Sequence, residues 1–276
     1  AGTDAAPSSN SIPGTLQFYT GGNATDNERL RIDSGGRVLV NTTSMGNSNA
    51  HTQSDDLIVG NTSHGHDTGV TIVSNPSYSG WLAFSDGTSA ADQRKAAIVY
   101  QHNQDTLYLR NNANQNRLII NSAGQVTKPH SCAFNVTPNG SQTLNTGSTL
   151  TSWKTTDSSR GFENTSSGGY FSSGIFTAPV TGAYYFTSNI LLENTNGTNG
   201  IHLYWQKNGS GAHTYWNTRF DGDDFGYGNY LPVAGACTMY MTAGDTCRIK
   251  ISFNGSSCGF YGSDQNWGNW GGFLIG

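Results

Sequence analysis

Charge is what this sequence has least of. Only 12% of its 276 residues are Asp, Glu, Lys or Arg, fourteen basic against eighteen acidic, for a formal net charge of −4. The five Lys and nine Arg are scattered singly, so the basic stripe of a nucleic-acid binder is missing. Prolines number seven, and the 36 glycines follow no every-third-residue period, which excludes a collagen triple helix. No run approaches the roughly 18 apolar residues of a spanning helix, and the opening ten residues lack the basic region and apolar core of a signal peptide. No initiator Met precedes Ala1, which suggests a piece of something longer. The four cysteines, Cys132, Cys237, Cys247 and Cys258, show no CxxC spacing. They read as small buried hydrophobes of a reducing compartment, with one disulfide left open.

What is abundant is turn chemistry and aromatic surface. Gly, Asn, Ser and Thr supply 125 residues, and 31 more are Tyr, Phe or Trp. Disorder goes with high charge and few aromatics, so the composition points to an uncharged, turn-rich, all-β protein.

The first half repeats itself. Arg29-Leu30-Arg31-Ile32-Asp33-Ser34-Gly35-Gly36-Arg37-Val38 aligns without gaps to Arg117-Leu118-Ile119-Ile120-Asn121-Ser122-Ala123-Gly124-Gln125-Val126. Each copy reads as a strand, a Ser and Gly turn and a second strand, a compact hairpin. An apolar run with a Gly turn precedes each, Gly14 to Gly21 and Gly80 to Gly87. Val70–Val73, Ala97–Tyr100 and Thr106–Arg110 are further short strand candidates. Such strands bury too little apolar surface to stand alone, so association with identical copies is expected. The organisation expected is a first shaft repeat over 1–48, a second over 49–127 and a head over 128–276.

Past Lys128-Pro129 the repeats stop, aromatic density rises and no segment has a helical period. Strand candidates follow every 8 to 15 residues: Cys132–Val136, Tyr170–Phe171, Gly174–Phe176, Ala183–Ile190, Ile201–Gln206, Thr214–Phe220, Ala236–Met241, Thr246–Phe253 and Gly271–Ile275. Turn residues fill the gaps, the pattern of a sandwich or jelly roll.

Within this half Phe176, Gly182, Tyr184 and Phe186 fill the order Phe, five residues, Gly, one residue, Tyr, one residue, Phe. That segment resembles the signature of complement C1q-like domains. Asn164 falls where the family has Asn, whereas Ser158 stands at its first Phe position and Gly169 is one place short of the aromatic Tyr170. Gly244-Asp245 leading into Thr246–Ile249 is similar to the family's Gly-Asp turn. Asn269 to Ile275 is similar to its closing strand, with Trp270 at a Phe position and Phe273 returning nearby. The resemblance covers about 128–276 and implies a C1q/TNF-like jelly roll that assembles as a homotrimer. Phe176, Gly182, Phe186, Trp270 and Phe273 are then core or interface residues, and Tyr184 faces the three-fold interface. The first-half repeats, with Ile12 to Phe18 ahead of them and Asn41 to Ser44 behind, resemble those of bacteriophage tail fibres, cyanophages in particular. Together the two resemblances imply a trimeric β shaft carrying a receptor-binding tip on a virion. The expected partners are a host-surface glycan or protein, and other tail proteins through a missing N-terminal part. A secreted C1q-like lectin of a cellular organism, or a tail-spike polysaccharide depolymerase, are the alternatives.

Catalytic motifs are absent: no Gly-x-Ser-x-Gly, His-Glu-x-x-His or P-loop is present. The Asp221, Asp223, Asp224 cluster sits in a Gly-rich loop, a poor mount for an acid and base pair. Closely spaced carboxylates suit calcium, although a plain solvated loop is the favoured reading. His64 and His66, if extended, point to one side, so three pairs on an axis offer six imidazoles to a transition metal. The main binding signal is the set of head aromatics among amides and hydroxyls: Trp205, Tyr215, Trp216, Phe225, Tyr227, Tyr230, Tyr261 and Trp267. Sugars stack on flat rings while polar groups read their hydroxyls. Trp205 and Tyr215, in strands, read first as packing residues. Tyr227, Tyr230, Tyr261 and Trp267, with Trp216, Asp223 and Asp224, are the receptor or glycan candidates.

Overall fold

The computed structural model describes residues 2–3, 14–21, 28–43, 54–60, 62, 65, 67–90, 92–112, 114–155, 161–163, 169–195, 198–209, 214–220, 230–255, 257–262 and 267–275, with 2–3, 199 and 214–220 as backbone alone. They form two compact units, Ala1–Gly80 and Trp81–Gly276. No helix among them is long and apolar enough to cross a membrane.

The first unit holds one sheet of five strands in sequence order: β1 (Gly2–Thr3), β2 (Gly14–Tyr19), β3 (Glu28–Ile32), β4 (Val38–Val40) and β5 (Leu57–Val59). Pairing is antiparallel except between β4 and β5. In the second unit β6 (Ser79–Phe84), β7 (Ala96–Gln101), β8 (Thr106–Asn111), β9 (Gln115–Ile120) and β10 (Val126–Thr127) make a second sheet of neighbours.

The two hairpin copies are the same object in atomic detail. Asp33 Oδ1 accepts from the Gly35 and Arg37 amides at 2.9 and 3.0 Å. Asn121 Oδ1 accepts from the Ala123 and Gln125 amides at 3.1 and 2.9 Å. Gly36 and Gly124 donate back to the carbonyls of Asp33 and Asn121. Both adopt positive φ, +82° and +76°, the left-handed step that lets a three-residue loop close a hairpin and that glycine takes without strain. Burial of Asp33 works to raise its pKa, but the bonds from Arg37 outweigh this and hold the carboxyl below the usual range.

Register gives both sheets an apolar outer face. In the first, Leu16, Ile32, Val38 and Leu57 form one cross-strand row, and Phe18, Leu30, Val40 and Val59 the next. In the second the rows are Ile98, Leu109, Leu118 and Tyr100, Leu107, Ile120, Val126. The opposite face of the second sheet buries Ala97, Val99 and Tyr108, with Trp81 and Ile119 against them. Arg110 lies over the Trp81 and Tyr108 rings at 5.3 and 4.6 Å. Val70–Val73, expected as a strand, has no regular structure and Val73 is 88% exposed. β-branched residues favour a strand only where a neighbouring edge accepts their hydrogen bonds.

The rest of the second unit is the head. Its strands are β11 (Ala133–Pro138), β12 (Gln142–Leu144), β13 (Trp153–Lys154), β14 (Phe162–Glu163), β15 (Phe171–Ser172), β16 (Ile175–Thr177), β17 (Gly182–Glu193), β18 (Asn199–Lys207), β19 (Thr214–Phe220), β20 (Tyr230–Met241), β21 (Thr246–Asn254), β22 (Cys258–Phe260) and β23 (Asn269–Leu274). In one sheet β17 pairs with β20 along one edge and with β23 and then β22 along the other, and β11 lies beyond β23. The other sheet runs β15, β16, β21, β18, β19. After β14 the chain crosses repeatedly between the two sheets, at β14–β15, β16–β17, β17–β18, β19–β20, β20–β21 and β21–β22, so the head is a jelly roll. One core fills the space between them: Phe134, Val136, Phe186, Ile190 and Trp270 from the first sheet meet Phe176, Leu203, Trp205, Ile249 and Ile251 from the second. Each such side chain contributes about 1.5–3 kcal/mol through burial. All four cysteines are free. Burial pushes the Cys132 and Cys237 thiols up to about 12 and Cys258 to about 11.

The strand candidates of the second half fall on β11 and β15 to β21 and β23, most of them longer than expected; β20 starts six residues before Ala236. β12, β13, β14 and β22 carry no signal of their own, being two or three residues long and defined by their partners.

Candidate aromatic cleft of the head

β17 alternates strictly, burying Tyr184, Phe186, Ser188, Ile190 and Leu192 and turning Tyr185, Asn189, Leu191 and Glu193 outward. The twelve-residue strand is long enough to outrun β23, and β22 takes over its free edge at Leu192 and Glu193. This exchange builds a cleft on the outer face. Tyr230, the first residue of β20, pairs with Glu193 on one side of β17. Tyr261, the residue after β22, donates its amide to the Leu191 carbonyl at 2.9 Å on the other. Trp267 arrives from the segment that enters β23.

Leu191, Tyr230, Tyr261 and Trp267 line a cavity of about 320 Å³. The Tyr230 and Tyr261 rings meet edge to face, 5.4 Å apart at 87°. Tyr230 is 50% and Trp267 55% exposed, a large apolar area to leave in water. Glu193 shares this face: a Cβ on Gly259 would strike its Cγ, so the stem of Glu193 lies across that glycine. The Glu193 carboxylate has no hydrogen bond among the described residues. Flat rings, an aliphatic floor and an unengaged acceptor can hold a ring with an apolar face and hydroxylated edges.

Three of the sequence candidates, Tyr230, Tyr261 and Trp267, therefore come together from three separate elements. Leu191 and Glu193 join them, and only strand parity and the pairing register reveal these two. Trp216 lies in β19, the edge strand of the other sheet, at the place where register shifts against β18, and its side chain is outside the described residues. Tyr227, Asp223 and Asp224, with Asp221, also lie outside them, as do His64 and His66, so the calcium and transition-metal expectations fall on undescribed positions. Trp205 is buried in the core.

The resemblance residues sort differently. Phe176, Phe186 and Trp270 are core, and Gly182 opens β17. Tyr184 is corrected from interface to core: it is wholly buried within one chain, and its hydroxyl donates to the Val180 carbonyl at 2.7 Å. Burial raises its pKa, opposed by the Val180 amide, which donates to the same hydroxyl oxygen. The outward aromatic is its neighbour Tyr185, whose ring lies 5.5 Å from Phe273.

No family model matches the chain, and no curated protein matches its sequence. Among solved structures it is similar to the Eiger TNF of S. frugiperda, at 12% identity and TM-score 0.41 over 53% of this chain and 94% of that one. The globular domain of the zebrafish complement 1qA protein matches at 17% identity and TM-score 0.36 over 53% and 98%. Murine APRIL matches at 16% and 0.34 over 52% and 98%. These neighbours are C1q/TNF-family domains.

Proposed function

We propose that this chain is an extracellular adsorption protein, a segment of a viral tail fibre whose jelly-roll heads bind carbohydrate on a host surface through the Tyr230, Tyr261, Trp267 cleft. The observation that carries the reading is the convergence of these three rings on Leu191, beside the free carboxylate of Glu193. Sugar C–H faces stack on the rings, and Glu193 accepts from the hydroxyls. No acid and base pair is needed, because the role is retention and not cleavage. Apolar outer rows on both hairpin sheets, carried by the repeated residues Leu30, Ile32, Val38 and Leu118, Ile120, Val126, support self-association of copies as a trimer. A shallow cleft binds one sugar weakly, and three heads acting together convert weak sites into firm attachment. The hairpin repeats ahead of a jelly-roll tip support placing the chain in a tail fibre.

The test is retention of the full chain on a panel of immobilised neutral oligosaccharides. Binding to at least one glycan is expected, with Trp267→Ala and Tyr230→Ala each weakening it at least tenfold while far-ultraviolet circular dichroism stays unchanged. Absence of retention on every glycan, or equal retention by both variants, would refute the reading.

A further inference from the structure

From Gly182 to Leu191 β17 rises about 30 Å, and at the end opposite the aromatic cleft the head has a second cavity of different chemistry. Its volume is about 280 Å³, and Arg117, Lys128, His130, Tyr170, Val180 and Leu274 are among its walls. Among the described residues no Asp or Glu lines it, although acidic residues outnumber basic ones in the chain.

Arg117 is held in place, and among the described residues none of the three basic side chains makes an ion pair. Arg117, on β9, donates from Nε to Asn111 Oδ1 at 2.5 Å. That amide is neutral, and the two Nη atoms have no partner among the described residues. Lys128 and His130 sit on a β-turn closed by the Ser131 amide donating to the Lys128 carbonyl at 3.0 Å. Pro129 fills the second turn position, where its fixed φ belongs. Lys128 makes no ion pair among the described residues. His130 Nδ1 is buried and has no hydrogen-bond partner among the described residues, a cost that a ligand would relieve. The acid in reach is Glu163, which acts electrostatically on Cys132 in the cavity wall. Its Oε1 is already occupied by the amides of Tyr170 and Phe171.

We propose that this cavity binds a single oxyanion, a carboxylate or a sulfate group, between the Arg117 guanidinium, the Lys128 ammonium and His130 Nδ1–H. A guanidinium with both Nη atoms unused matches two oxygens of such a group, and a partly enclosed site strengthens each charge-assisted bond. Arg117 comes from the hairpin sheet, whereas Lys128 and His130 belong to the turn that enters the head. The oxyanion therefore clips the β9 and β10 hairpin to the base of the jelly roll. This site is independent of the aromatic cleft.

The experiment titrates the full chain with sodium sulfate and, separately, sodium glucuronate at ionic strength held constant with sodium chloride, reading heat of binding and the thermal midpoint. Saturable millimolar binding of one or both probes is expected, with a raised midpoint. Arg117→Gln and Lys128→Gln should each weaken it about tenfold, and Trp267→Ala should leave it unchanged. Glucuronate alone marks a uronate ligand, and sulfate alone a sulfate ester. The proposal is overturned if neither probe does more than chloride, if both basic variants bind as the wild type does, or if Trp267→Ala abolishes the binding.

Discussion

Trp270 is wholly buried between Phe134, Phe171 and Trp153, and its indole N–H has no acceptor among the described residues. A buried donor left unmade costs about 1–3 kcal/mol, so Trp270→Phe, which removes the donor and keeps most of the ring, should change urea stability by less than about 1 kcal/mol. Trp270→Ala should cost about 3–5 kcal/mol. If both variants lose the same amount, the orphan donor carries no penalty. Gly174 has φ +74°, and a Cβ there would run into the Leu150 carbonyl. Gly174→Ala should therefore destabilise by more than about 2 kcal/mol, since strain and overlap add. Asp245 is the acid-sensitive residue. Lys207 bonds its carboxylate at 2.7 Å, Asn208 and the Thr242 amide add two more bonds, and its pKa falls from 3.8 to about 2. A carboxyl depressed on folding stabilises above its unfolded pKa, and that stability is lost as pH falls through the folded value. Stability measured from pH 5 to pH 2 should accordingly fall more in the wild type than in Asp245→Asn.

The hairpin turn is the element whose structure is written most plainly in the chain. Asp33 and Asn121 differ in charge but share Oδ1, which accepts two amides in each copy. Asn121→Asp, which keeps both amide acceptor bonds and gives up only the exposed Nδ2 bond to Gln125 Oε1, should preserve stability within about 0.5 kcal/mol, and Asn121→Ala, losing all three, should cost about 1–2 kcal/mol; hydrogen exchange of the Ala123 and Gln125 amides reports the difference. This turn was legible because its chemistry is contained in five consecutive residues. The long head strands were legible for a similar reason: β17 and β21 bury every second residue, a period visible in the sequence. Val70–Val73 shows the limit of that reasoning, because strand propensity is expressed only beside a free edge. β22 shows the converse, as three residues become a strand through pairing with β17 and β12.

At the scale of the whole molecule, the proposed self-association rests on the outer face of each hairpin sheet. Ile98, Leu109 and Leu118 stand in one row across three strands, and an apolar patch of that kind seeks a partner. Sedimentation should give about three times 29.4 kDa for the wild type, and Leu118→Lys should shift mass toward the single chain without unfolding the head. A wild-type mass near 29.4 kDa would leave those faces solvated and remove the avidity on which the proposed adsorption depends.

Composition, turn residues and alternation already determined an all-β chain with a repeated hairpin and a second half patterned as a sandwich or jelly roll, since turns and strand alternation rest on residues close in sequence. They also put Tyr230, Tyr261 and Trp267 among a wider set of receptor or glycan candidates. That these three meet, that Leu191 and Glu193 complete their cleft, and that Tyr184 turns inward while Tyr185 faces out were decided by register. Register is set by pairing between strands tens of residues apart, and a shift of one residue reverses every side chain.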